Sequence, residues 1–452
     1  METKLPEEVI KIYKKIENNG YEVYIVGGAV RDLLTGRPVI DWDFTTNATP
    51  EDILKIFKDS FYDNNYGTVG INSESGFKPH EVTTYRTEHG YSDHRRPDKV
   101  LWGKSLEEDL KRRDFTINAL AIKLDGMGIK IIDLFEGQND LKNKVVKAVG
   151  NANERFNEDA LRMMRAIRIA SQLGFTIEEK TFEAIKMHSN LINEIAAERV
   201  RDELLKTISS SFSFEGIVIF KSSSLMHEIL PELEENFGVE QKSPGRHHTF
   251  DVGTHLVMAL KYCNSDDPIT RLATLIHDIG KARTFKKIED GTITFYNHEV
   301  VSTKIAAKIA DRLKLSNKDK NKLLKLVRWH MFSVNENQTD SALRRFIRNV
   351  GKENIPDILM LRVADRLGGG ARETSWRLEE FKRRLIEVQK QPFTVRDLKI
   401  DGNDVMKTLR LRPGPKVGEI LNNLFEKVVE KKIENSRDTL LKRIKELKST
   451  FS

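Results

Sequence analysis

The chain has 452 residues, of which 32% are charged and 39% hydrophobic, with a formal net charge of +7. Such a length exceeds one ordinary core and implies roughly two to four domains, and no apolar run reaches the length of a membrane span. A single cysteine, Cys263, excludes an intrachain disulfide and suits a reducing cytoplasm, and the basic excess fits a polyanionic partner without requiring one.

Taken in order, an amphipathic helix over residues 6–19 ends at Asn18-Asn19-Gly20, a turn and capping signal. The β-branched run Val23 to Val26 predicts a strand that feeds Gly27-Gly28 and a short helix carrying Arg31. A second strand over Ile40 to Thr45 holds Asp41 and Asp43, which alternation sends to one face. Two convergent carboxylates suit a hard divalent cation such as Mg²⁺, while Gly27, Gly28 and Arg31 suit a phosphate. Thr49-Pro50 caps a helix, and Thr68–Asn72 and Glu81–Tyr85 extend the sheet, with Glu81 a further carboxylate that is either a ligand or solvated.

Residues 88–104, polar and broken by His-Gly, Ser-Asp and Arg-Pro, read as a mobile loop near the site. Strands follow at Ile117–Leu124 and Ile129–Leu134, after which the periodicity turns helical from Asn153. Asp159, Arg162 and Arg165 recur at every third position and can face one nucleotide-binding cleft of a helix, with Arg168 rotated further, where it can contact triphosphate or RNA from the rim. The same spacing also suits a solvated, salt-bridged face. The expected divisions are 1–150, 151–215, 216–385 and a Lys/Arg-rich tail at 386–452.

The string Val26-Gly27-Gly28-Ala29-Val30-Arg31-Asp32 followed by Asp41-Trp42-Asp43 resembles the signature of the DNA polymerase β-like nucleotidyltransferases. It is similar to the bacterial branch that holds tRNA CCA-adding enzymes and poly(A) polymerases. The resemblance continues through Arg112-Arg113-Asp114-Phe115-Thr116-Ile117-Asn118-Ala119, Glu158-Asp159-Ala160-Leu161-Arg162 and Glu198-Arg199-Val200-Arg201-Asp202-Glu203-Leu204. It implies an α+β fold: an N-terminal mixed sheet with helices, an all-α neck, a helical body and a helical tail that binds tRNA.

It further implies that Asp41 and Asp43 are catalytic and hold Mg²⁺. Arg113 then contacts the nucleotide, and Asp114 and Asn118 shape the ribose pocket. Asp159 and Arg162 become an amino-acid template for the incoming base. Cytosine and adenine both offer an amine donor beside a ring-nitrogen acceptor, matching a carboxylate and a guanidinium. Uracil and guanine reverse that order and leave buried polar groups unpaired. In this branch, enzymes adding only two cytidines tend to lack a full loop after the metal strands. The stretch Tyr91-Ser92-Asp93-His94-Arg95-Arg96-Pro97 thus favours complete CCA addition from CTP and ATP. Poly(A) polymerase activity, and A-only or CC-only addition, stay open.

In the second half, His277-Asp278-Ile279-Gly280-Lys281 resembles the core motif of the HD-domain phosphohydrolases, with His255 upstream and Asp365 downstream. That resemblance implies a site for a divalent transition metal, to which His298 and His330 can add a second position. It leaves open a phosphohydrolase acting on RNA ends, or a body that keeps the fold without the activity. Lys242 and Arg246-His247-His248-Thr249-Phe250 are candidate phosphate contacts or a solvated loop. No membrane partner is expected, and the oligomeric state is left open.

Overall fold

The computed structural model describes residues 5–62, 67–73, 79–89, 99–103, 105–126, 128–241, 250–332, 338–389, 395–430 and 432–448. Two compact units emerge: Met1–Gly238 with Asp266–Pro268 and Ala307–Ser316, and Val239–Ser265 with Ile269–Ala306 and Asn317–Ser452.

The first unit is built on a seven-stranded mixed sheet. Helix α1 (Glu7–Glu17) buries Val9, Ile12, Tyr13 and Ile16, the single stripe that a 3.6-residue period produces. Strand β1 (Val23–Val26) leads into helix α2 (Gly28–Leu34), and β2 (Asp43–Thr46) returns antiparallel to β1. Thr49 caps α3 (Pro50–Ile56), accepting the Asp52 N–H at 3.3 Å, with Pro50 at the first helical position. Strands β3 (Ser60–Tyr62), β4 (Thr68–Ile71) and β5 (His80–Thr84) follow. After the paired strands β6 (Arg86–His89) and β7 (Lys99–Trp102) come helix α4 (Leu106–Lys111), β8 (Leu120–Asp125) and β9 (Gly128–Asp133). The sheet order is β3-β4-β5-β2-β1-β8-β9, and β2 and β5 lie parallel at its centre. Helices α5 (Gly137–Asn143), α6 (Ala152–Glu158), α7 (Leu161–Leu173), α8 (Glu179–His188) and α9 (Ala197–Ile208) complete the part that bears on the site.

Three expectations need correction. The metal strand starts at Asp43, not Ile40, because β1 ends opposite it at Val26 and offers no further ladder, so Asp41 precedes the strand. Asp159 is not on a helix; its side chain accepts the Leu161 N–H at 3.1 Å and fixes the extended corner between α6 and α7. Within the span read as one loop, 88–104, residues 88–89 and 99–102 belong to the β6–β7 pair; residues 90–98 and 104, with Tyr91 to Pro97, lie outside the described residues.

The second unit is mainly helical. Its body includes helices Val252–Lys261, Asn317–Trp329, Asp340–Val350, Ile355–Gly368 and Trp376–Gln389. The tail folds Gly402–Leu409, Pro415–Val429 and Arg437–Lys448 around Val405, Leu424, Leu440 and Ile444. Fully buried Arg344 joins body to tail, donating from Nη1 to the Val429 carbonyl at 2.8 Å.

Candidate active site

The sheet sets the acidic end of the first site. Asp43 on β2 stands in register with Glu81 on the parallel neighbour β5, and the two line a cleft of about 600 Å³ with Asp41, Arg165 and Lys206. The three carboxylates form an all-oxygen donor set beside two positive charges, a composition that fits a hard divalent ion. Glu81, exposed on its strand, lines the same cleft as the pair, a placement that the parallel register reveals.

Gly27 takes φ +78°, and a Cβ there would lie 3.2 Å from Asp43 Oδ2 and 3.3 Å from Arg113 Nη1. The residue must be glycine both for its backbone and for the space between these groups. Arg31 is engaged locally: Nε and Nη2 donate to Asp32 at 2.9 Å each, and Nη1 donates to Asn118 Oδ1 at 2.8 Å.

Asp109 escaped the sequence reading although its spacing to two arginines, i+3 and i+4 on α4, was a signal. Its carboxylate is wholly buried and accepts from Arg112 at 2.6 Å and Arg113 at 3.1 Å. Burial alone would raise its pKa, but the two guanidiniums outweigh that and lower it. Asp114 accepts from Asn118 Nδ2 at 3.2 Å and from Arg165 Nη2 at 2.6 Å. Burial again opposes, yet Arg165 and the hydrogen bonds hold this carboxyl down at about 2. Arg31, Asn118, Asp114 and Arg165 thus form one continuous chain of contacts from the glycine turn to α7.

The remaining neck residues stand outside this chain of contacts, each with its own partners. Arg162 donates to Glu158 Oε2 at 2.7 Å and to the Arg112 carbonyl at 3.1 Å. Asp159 Oδ2 accepts from Arg199 at 2.9 Å, and Arg168 donates to buried Glu203 at 2.6 Å. Arg199 and Glu203 sat inside a quoted motif, but their partners lie 40 and 35 residues away, beyond any periodicity.

The second unit gathers all six of the residues singled out there. His255 Nε2 lies 3.2 Å from Asp365 Oδ1, and His277 Nε2 lies 3.5 Å from both Asp278 and Asp365. His298 and His330 approach Asp278 Oδ1 at 3.0 and 3.1 Å. Two three-ligand groups result, His255/His277/Asp365 and His277/Asp278/His330. The Nδ1 atoms of His277, His298 and His330 each face a backbone carbonyl at 2.7–2.8 Å, which turns Nε2 inward.

Among the described residues, the buried Nε2 atoms of His255 and His277 face carboxylates without a well-aligned hydrogen bond, an arrangement that suits metal ligation. Burial opposes the imidazolium at His277 and His298, yet the adjoining carboxylates raise both; at His330 burial prevails and lowers it. Burial likewise opposes ionisation of Asp278 and Asp365, but neighbouring cations and hydrogen bonds hold both well below the carboxylate range. A cavity of about 330 Å³ opens over Asp278, bordered by Lys281, Arg362 and Tyr296. Lys281, 2.5 Å from Asp278, was not singled out in the sequence as a site residue. Lys242 and Arg246 to Thr249 lie outside the described residues.

A glycine turn, a carboxylate cleft and a helical neck on this sheet define a nucleotidyltransferase. In agreement, residues 23–147 match the poly(A) polymerase head domain, 174–237 the "Probable RNA and SrmB-binding site of polymerase A", and 289–444 tRNA nucleotidyltransferase domain 2. The CCA-adding enzyme of Lactococcus lactis is 33% identical over 449 residues, 98% of each chain. That of Ligilactobacillus salivarius is 35% identical over 448 residues, again 98% of each. Among solved structures, the Bacillus stearothermophilus CCA-adding enzyme in complex with CTP superposes with a TM-score of 0.74 at 28% identity, over 98% of each chain. The chain belongs to the CCA-adding enzyme family.

Proposed function

We propose that the cleft at Asp41, Asp43 and Glu81 is where this enzyme adds nucleotides to tRNA. The chain builds or repairs the 3′-terminal CCA of tRNA, taking CTP and ATP and releasing pyrophosphate. The observation that carries the site is the meeting of three carboxylates with Arg165 and Lys206 in one cleft.

Asp41 and Asp43 would hold Mg²⁺, joined by Glu81, and the bound ions would activate the 3′-hydroxyl and polarise the α-phosphate. Gly27 and Gly28 let the triphosphate approach the backbone, with Arg31 and Arg113 countering its charge. Asp114 and Asn118, already hydrogen-bonded together, border the ribose. Asp159 accepts from the exocyclic amine of the base and Arg162 donates to its ring nitrogen, while Arg165 and Arg168 brace the neck. Residues 1–150 then serve as head, 151–215 as neck, 216–385 as body and 386–452 as the tRNA-binding tail. Among the described residues no helix is long and apolar enough to cross a membrane, and the cytoplasm is the proposed location.

The test uses tRNA transcripts ending at the discriminator base, at C or at CC, each with Mg²⁺ and CTP, ATP or both. Sequenced ends that gain CCA and then stop are expected. Long A tails, or addition to one substrate alone, would move the assignment to a poly(A) polymerase or a partial enzyme.

A second reading attaches to the body. The His/Asp cluster is built of ligands suited to Mn²⁺, Fe²⁺, Ni²⁺ or Zn²⁺, and the Lys281 and Arg362 cations stand where a phosphate ester would enter. This supports a metal-dependent phosphohydrolase acting on RNA ends beside the transferase.

A further inference from the structure

Phe61 puts an aromatic ring into the carboxylate cleft. It is 43% exposed and borders the cleft with Asp43, Glu81 and Pro79. Its position follows from register. Phe61 on β3 pairs with Gly70 on β4, Gly70 with Glu81 on β5, and Glu81 with Asp43 on β2. Directly paired residues point to the same face of a sheet, so one row carries the ring, a bare glycine and two carboxylates.

The glycine serves the ring. Gly70 does not have a positive φ, so its backbone makes no demand for glycine. A Cβ on it would lie 2.5 Å from Phe61 Cζ and 2.9 Å from both Cε1 and Cε2. Equal and only slightly longer distances to the two Cε atoms put Gly70 under the face of the ring, not beyond its tip. One face of the ring therefore lies on the sheet and the other is turned away from it, which accounts for the exposure.

The order of the strands decides what meets that outer face. The glycine turn follows β1, on one side of Asp43, whereas Glu81, Gly70 and Phe61 lie on the other. An in-line displacement holds the leaving pyrophosphate and the attacking hydroxyl on opposite sides of the α-phosphate. With the triphosphate at the glycine turn, the attacking 3′-hydroxyl comes from the Phe61 side. Glu81 is one strand spacing from Gly70 and Asp43 is two, about 5 and 10 Å. A base on the ring thus leaves its own 3′-hydroxyl within one nucleoside's reach of the carboxylates. The incoming base is taken in the neck, at Asp159 and Arg162, so the ring is left for the acceptor.

We propose that Phe61 is a binding residue for the tRNA acceptor end. The base of the 3′-terminal nucleotide stacks on the outer face of the ring, and this delivers the 3′-hydroxyl to the metal carboxylates. The terminal base changes as the end grows, and stacking suits that because every base has a π-face. The proposal rests on this cleft being where nucleotides are added.

The first CMP addition is measured on tRNA transcripts that end at the discriminator position, with adenine there or with an abasic ribose. The proteins are the wild type, Phe61→Leu, Phe61→Tyr and Gly70→Ala. Removing the base should lower the wild-type kcat/KM about tenfold. Phe61→Leu should lose as much on the adenine transcript, through the KM for tRNA and not the KM for CTP. On the abasic transcript it should lose little more, because ring and base act as one contact. Phe61→Tyr keeps the face and should keep the rate, whereas Gly70→Ala, whose Cβ lifts the ring, should behave as Phe61→Leu does.

Losses that multiply, each at full size in the presence of the other, would make the ring only a cover for a strand glycine and overturn the proposal. A wild type indifferent to the terminal base would overturn it as well. Asp41→Ala that still adds CMP would instead overturn the cleft reading beneath it. Should Phe61→Leu fail to fold, Gly70→Ala is read by the same comparison.

Discussion

Gly27 concentrates the demands of the first site in one residue. Its φ of +78° disfavours any side chain, and a Cβ would press on Asp43 Oδ2 and Arg113 Nη1 together. Gly27→Ala should therefore lower kcat/KM for CTP addition on the order of 100-fold, by displacing both groups from the nucleotide. A steady-state assay checks this, and near-normal rates would show that the turn tolerates the methyl. Asp41→Ala should abolish addition while tRNA binding, followed by gel shift, persists; a fully active variant would remove Asp41 from the mechanism. At this scale the sequence was most legible where residues lie close along the chain. Gly27, Asp41 and Asp43 were readable from a short string. Asp109 was in reach of helical spacing, whereas Glu81 required the β2–β5 register that no local pattern encodes.

Between elements, the contact that matters most is Asp114 with Arg165, which ties the turn after α4 to α7. The Asp114 carboxyl is held at about 2 against an ordinary 3.8. A depressed carboxylate stabilises the fold above its unfolded pKa and loses that contribution as pH falls through its folded value. The window is therefore roughly pH 4 down to 2, and the contribution above it is about 2 kcal/mol. Comparing thermal midpoints of the wild type and Asp114→Asn, the gap should be widest near neutrality and close toward pH 2. A gap that does not change with pH would assign the contact to packing rather than charge. Helices and strands were largely legible because apolar periods of 3.6 and 2 dictate burial. Their ends were less so: β2 is cut short by its partner, and the α6–α7 corner is set by a side-chain hydrogen bond that competes with the helix.

Over the whole molecule, the two sets of proposed metal ligands differ in chemistry: carboxylates in the first unit, imidazoles with carboxylates in the second. The second set was legible as residue types in order, His255, His277-Asp278 and Asp365, but the sequence could not show that His298 and His330 both reach Asp278 Oδ1. His277 belongs to both three-ligand groups and is wholly buried, so its loss disables each of them at once. Asp365 belongs to one group, so Asp365→Asn leaves the ligands of the other intact. Elemental analysis of purified protein should thus find transition metal in the wild type, none in His277→Ala, and a reduced content in Asp365→Asn. Because the carboxylate cleft shares no ligand with this cluster, His277→Ala should still add CCA with Mg²⁺, whereas Asp41→Ala should retain the transition metal. Metal bound equally by all variants would deny the cluster its role. Loss of CCA addition in a folded His277→Ala protein would instead mean that the two chemistries depend on each other.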